Sequence, residues 1–194
     1  IRNGGSLDFT QHIDERNILA AFSLTSLGYI LAVGRLEQTK AFHELIAAYL
    51  QIEQPDKKLV ICGVGIHAEQ YVKDLTKSAS ENIIFVGFQS GERLKTLYAN
   101  AALFMHPSHM EGFCLVVSEA LSAGVPIALS DIPPHREFKL PDQCFFNTGD
   151  IAAMKDILQQ DDFSAYQSPQ AFAHQRLNTW LVSAEKHKAL YQAL

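Results

Sequence analysis

The 194-residue chain has no basic run, no long unbroken apolar segment and no paired cysteine motif, and each absence removes a class of function. Lys and Arg together number 16 against 21 Asp and Glu, a formal charge of −5. Duplex binding rests on clustered cations that neutralise phosphates, so no nucleic-acid partner is expected. The longest apolar stretch, 19–33, is interrupted by Ser23, Thr25, Ser26 and Gly28, and falls short of the ~20 apolar residues that a spanning helix needs. Cys62, Cys114 and Cys144 are odd in number, far apart and outside any C-x-x-C pair. That pattern favours small buried thiols in a reducing, cytoplasmic setting over a disulfide framework. The chain begins at Ile1 without a charged-then-apolar leader, so it is expected to be a fragment or processed product. Its length suits one ordinary domain, large enough to bury roughly 70% of its extended surface without staples.

What is present is a regular alternation. Short continuous apolar runs predict strands over 29–33, 59–62, 83–86, 101–105, 125–129 and 144–146. Helical patterns lie between them: from Asp14 to about 24, 39–53, from 66 to about 78, 91–99, 114–123, and from Asp150 to about 159. A further helix is expected near Pro169, and Trp180, Leu181, Ala184, Leu190 and Tyr191 predict an amphipathic terminal one. Strands without polar alternation, each followed by a helix, imply a parallel sheet covered on both faces, a doubly wound α/β domain. Ligands in such sheets sit beyond the carboxyl ends of the strands. The loops carrying Gly34, Gly63, Gly65, Gly87 and Gly112 all fall there.

The most informative stretch is 106–120. His106-Pro-Ser-His follows a strand, Glu111 and Gly112 occupy the turn, and Glu119 stands about one and a half turns into the next helix. The two carboxylates are therefore expected to face one crevice. The first N–H groups of that helix, from Phe113, Cys114, Leu115 and Val116, have no intrahelical acceptor and, with the helix dipole, favour a phosphate. An anion site beside hydroxyl-reading carboxylates points to a sugar nucleotide.

The pattern Ser108-x-x-Glu111-Gly112-Phe113-x5-Glu119-Ala120, with its E-x7-E spacing, resembles the donor-site signature of the group-1 family of retaining glycosyltransferases with the GT-B fold. Other family elements occur in order: Gly34-Arg35-Leu36-x3-Lys40, Gly63-x-Gly65, Phe85-x-Gly87 and Gly124-x-Pro126. The resemblance implies the carboxyl-terminal, donor-binding half of such an enzyme, Rossmann-like in fold, with residues 1–12 as an inter-domain segment, 13–176 as the domain and 177–194 as a crossing helix. It implies transfer of a sugar from a nucleotide-diphosphate sugar to an acceptor in glycan, polysaccharide or glycolipid synthesis. Arg35 and Lys40 would meet the donor diphosphate and stabilise the departing phosphate, with Glu111 close to the donor sugar. Glu119 would bind the ribose, Phe88 would border the base and His109 would approach the sugar. Gly34, Gly63, Gly65 and Gly112 would line the crevice. Neither a cofactor nor a metal is implied. The acceptor would be bound by a missing amino-terminal half, which would also provide any peripheral attachment to the inner membrane face. Ala41 and Cys114 depart from the pattern, standing where the family usually has glycine.

Other readings fit less of the chain. Paired carboxylates also occur in glycosidases, but here they come with cations and a phosphate cradle. Gly63-Val64-Gly65-Ile66-His67-Ala68 matches a dinucleotide fingerprint, yet it follows the second strand, and an acid ~20 residues on would fall in an apolar strand. His106, His109 and His135 lack metal-ligand spacing and an expected Asp or Cys cluster. A nucleotide-sugar binding or regulatory module without chemistry, and a GT-B sugar-nucleotide epimerase, remain as alternatives.

Overall fold

The computed structural model describes residues 15–168 and the isolated positions 185, 188, 189 and 192. The segment 1–12 and the helix near Pro169 lie outside these residues, as does the terminal helix apart from those four positions. Six parallel strands, β1 (Tyr29–Val33), β2 (Lys58–Cys62), β3 (Ile83–Gly87), β4 (Leu103–His106), β5 (Ile127–Ser130) and β6 (Phe145–Phe146), form one sheet. Their order is β3-β2-β1-β4-β5-β6. Helices α1 (Glu15–Ala21), α2 (Phe42–Tyr49), α3 (Glu69–Thr76), α4 (Gly91–Ala99), α5 (Leu115–Ala123), α6 (Pro133–Arg136) and α7 (Ile151–Leu158) complete the doubly wound layers.

Every residue of β1 is buried, and alternate residues serve opposite faces. Tyr29, Leu31 and Val33 pack with Phe104, Val117 and Leu121, while Ile30 and Ala32 pack with Phe42, Leu45 and Met154. The helices after β1 and β4, α2 and α5, therefore lie on opposite faces although their strands are neighbours. Their connecting loops leave for opposite faces of the sheet, which makes this the topological switch point at which such sheets bind ligands.

Local departures from the expected elements have identifiable causes. The helix expected over 39–53 divides into a 3₁₀ turn, Gln38–Lys40, and α2, because Ala41 between them adopts φ 53°. Cys114 likewise takes φ 58° and stands just outside α5, which begins at Leu115. Both positions where the family has glycine are thus left-handed, the conformation that glycine adopts without a Cβ penalty. The fourth strand starts at Leu103 because Ala101 is still bonded back to Tyr98 in the turn that ends α4 (3.4 Å). Cys144 lies in a 3₁₀ turn, Asp142–Cys144, ahead of β6. The short helix α6 was not expected, since Pro133-Pro134 reads as a turn; both prolines occupy its first turn, where no N–H is needed. Asp150 caps α7 as anticipated, accepting from the Ala153 N–H at 2.9 Å.

Candidate functional site

Two loops meet across the switch point, 34–41 from β1 and 107–114 from β4. They are stitched together by backbone: the Thr39 carbonyl accepts from the His109 N–H at 2.8 Å, and the Ser108 hydroxyl lies 3.1 Å from the same carbonyl. Behind them, the Ser130 hydroxyl donates to the Ser108 carbonyl at 2.5 Å. This pinning brings Lys40 and Glu111, 71 residues apart, into a 2.8 Å ion pair. His106 Nε2 contacts the same carboxylate oxygen at 2.7 Å. The side chains of Lys40, Glu111 and His106 are only 11%, 9% and 1% exposed. Burial alone would raise the Glu111 carboxyl, but the bonds and charges of His106 and Lys40 overcome it and hold it at about 2. Glu111 is therefore a carboxylate at any physiological pH, facing a cation with little water between them.

Glu119 lies on the buried side of α5, 8% exposed, with Oε2 at 3.1 Å from the Tyr98 hydroxyl. Glu111 precedes α5, and Glu119 stands in its second turn. The first turn of that helix begins beyond Cys114, and the Val117 N–H is the one that reaches the Cys114 carbonyl, at 3.1 Å. The amides ahead of it, from Leu115 and Val116, have no acceptor within the helix and give the crevice an anion-binding edge.

Other expected residues are placed less directly. Arg35 is 63% exposed and pairs with Glu37 at 2.8 Å, so it stands at the rim and is not brought together with Lys40. His109 is likewise turned outward, pairing with Glu44 of α2 at 2.9 Å. Phe113 packs its ring beside Phe138, centroids 6.2 Å apart. Phe88, beyond β3, is 70% exposed. Gly34 and Gly63 bring the ends of β1 and β2 together, with the Gly34 N–H donating to the Cys62 carbonyl at 3.0 Å. Gly65 packs under Val72 and the Leu36 carbonyl, whereas a side chain at Gly112 would meet nothing. The dinucleotide reading fails on topology: its Gly-rich turn follows β2 rather than the central β1, and α3 begins only at Glu69.

The histidines require one correction. His106 and His135 do come together, and they are joined by Cys114 and Glu111, whose potential ligand atoms all lie within 4.8 Å of one another; His109 is not among them. Spacing in the sequence could not reveal this, because α6 folds His135 back under β4. A positive group is already at the cluster, since Lys40 Nζ rests on Glu111. The Cys114 thiol is pushed well up by burial and by Glu111, which opposes a thiolate. His135 places Nδ1 at 2.8 Å from the Ser130 carbonyl, to which it donates, and Nε2 meets no partner among the described residues.

Burial, followed by the nearby His106, depresses His135 to about 4, with Lys40 acting the same way and Glu111 opposing. An unfolded histidine titrates near ~6.5, so between the two values the unfolded chain binds the extra proton. The stability contributed by neutral His135 is present above that range and is lost as pH falls through it. Urea titrations should give a chain roughly 2 kcal/mol less stable at pH 5 than at pH 7 from this group, and His135→Gln should flatten that slope. An unchanged slope in the variant would remove His135 as its source.

Comparison with known proteins decides the family. The sequence profile of the glycosyl transferases group 1 matches residues 20–160. The chain belongs to that family. This group-1 chain is 39% identical over 106 residues to an uncharacterized glycosyltransferase of Methanocaldococcus jannaschii, covering 53% of the chain and 27% of that protein. It is 31% identical over 176 residues to the glycogen synthase of Mycobacterium tuberculosis, covering 84% and 42%. The Anabaena protein HepE, solved in complex with UDP, superposes with a TM-score of 0.81 at 19% identity, covering 93% of this chain and 53% of that one. The group-1 chain thus spans about half or less of the length of these relatives. No helix among the described residues is long and apolar enough to cross a membrane.

Proposed function

We propose that this chain is the donor-binding half of a retaining glycosyltransferase that takes its sugar from a nucleotide-diphosphate sugar. The observation that carries this reading is the buried Lys40–Glu111 pair opposite the amino end of α5, at the sheet's switch point. Lys40 and the first amides of α5 hold the diphosphate, and Arg35 swings in from the rim when the donor binds. Fixed positive charge is most valuable where negative charge grows during departure of the phosphate. Lys40 supplies that charge, so no metal is needed. Glu111 fixes the Lys40 ammonium and borders the sugar, and Glu119 reads the ribose hydroxyls. UDP in the Anabaena complex supports a nucleotide-diphosphate ligand. The acceptor, and any attachment to the cytoplasmic face of a membrane, belong to a further half outside this chain.

Calorimetry with UDP, GDP and ADP tests the donor reading and identifies the base. In Glu119→Gln the shape survives but the charge does not, and hydrogen bonds to charged groups contribute roughly 1.5–3 kcal/mol. The neutral amide still accepts one bond, so binding should weaken by about tenfold. The variant should also lose most of the wild-type preference for ribose over its 2′,3′-dideoxy analogue. An unchanged preference would remove Glu119 as the ribose reader.

A further inference from the structure

Tyr98 is a phenol where the packing requires only a ring. It sits on α4 with no exposed surface, its ring tilted against Phe104 of β4 at 5.7 Å between centroids. Its hydroxyl lies 3.1 Å from Glu119 Oε2 and 3.2 Å from the Val116 carbonyl, both on α5. A hydroxyl has one proton, and a carboxylate is the stronger acceptor, so the proton goes to Glu119. Burial, and then the neighbouring carboxylate, push the phenol well above its ordinary acidity, which keeps it a donor. Glu119 is therefore gripped by a group that belongs to the neighbouring helix α4, and the grip restricts rotation of its carboxylate.

We infer that Tyr98 is a positioning residue for nucleotide recognition: its hydroxyl orients the Glu119 carboxylate to receive the two hydroxyls of a ribose. The inference rests on Glu119 being the ribose reader, and it goes further by tying that reading to a buried residue that never touches the ligand. Ribose selectivity then depends on an α4–α5 hydrogen bond as well as on the carboxylate. The pair should behave as one unit rather than as two independent contributors.

The test is Tyr98→Phe, which keeps the ring and its packing and removes only the oxygen. Calorimetry with GDP and UDP, each compared with its 2′,3′-dideoxy form, should show the ribose preference falling by about three- to tenfold. The double variant Tyr98→Phe/Glu119→Gln should show no loss beyond that of Glu119→Gln alone. A purely structural tyrosine would instead lower the melting temperature, or weaken both members of each nucleotide pair alike, with the ratio intact; either result without loss of ratio overturns the inference. If Glu119→Gln loses the preference and Tyr98→Phe keeps it, positioning is wrong while ribose reading stands. If neither variant changes it, both fall. Should Tyr98→Phe fold poorly, fluorotyrosine labelling of the unsubstituted chain provides a second reading: the Tyr98 resonance should shift on adding the ribonucleotide and much less with the dideoxy form. Equal shifts would overturn the positioning role.

Discussion

Lys40→Ala is expected to reduce transfer by the full-length enzyme about 10²- to 10³-fold, the range found when one preorganised donor to a developing anion is removed. The loss should be larger in kcat than in KM, because charge on the phosphate grows toward the transition state. A second consequence follows from burial. Glu111 and Lys40 are nearly sealed from water, and removing one partner of a buried pair costs ~3–5 kcal/mol when no water reaches the survivor. His106 stays on Glu111 as a remaining partner, so a loss toward the low end of that range is expected. Arg35→Ala should have a smaller effect on stability, since its side chain is exposed and pairs with Glu37 at the surface. Steady-state kinetics and urea denaturation of both variants check the ordering; wild-type turnover in Lys40→Ala would return that lysine to a structural role.

Gly63→Ala is expected to be the more damaging change to the fold. Gly63 has φ +152°, and a Cβ there would run into the Gly34 carbonyl, on the adjoining end of the central strand. Neither backbone can retreat, because the Gly34 N–H is bonded to the Cys62 carbonyl and the Gly63 N–H to the Gly87 carbonyl. Backbone strain of ~1–3 kcal/mol and an overpacking cost of similar size give a loss of about 3 kcal/mol or more. In a domain of this size that lowers the melting temperature by roughly 10 °C. Gly112→Ala is the control, since a Cβ there meets nothing, and it should change stability by less than ~0.5 kcal/mol. Equal effects in the two variants would contradict this account of the β1–β2 junction.

The sequence made the sheet legible because its strands are continuous apolar runs, and burial on both faces is what such runs require. All six strands were placed within about two residues from that pattern alone. The helix ends were harder. Nothing in the residue types announces that Ala41 and Cys114 are left-handed, since neither residue favours that conformation; only comparison with family glycines marked those positions. The E-x7-E spacing singled out both carboxylates, and the pairing of β1 with β4 is what lets Lys40 reach Glu111. Tyr98 was not singled out, and His135 was set aside as a structural histidine, for a different reason. Each reaches it through packing between elements that are not adjacent in sequence, and their helical positions read as ordinary core or turn residues. The expected grouping of Arg35 with Lys40 depended on a ligand for both cations to meet, which the sequence cannot supply.

The most direct test is a crystal structure of this chain grown with UDP and, separately, with GDP at saturating concentration. The diphosphate should lie between Lys40 Nζ and the first amides of α5, with the ribose hydroxyls on Glu119 and the Lys40–Glu111 contact retained. A nucleotide bound elsewhere, or one whose phosphates avoid both Lys40 and the amino end of α5, would contradict the assignment of the donor crevice.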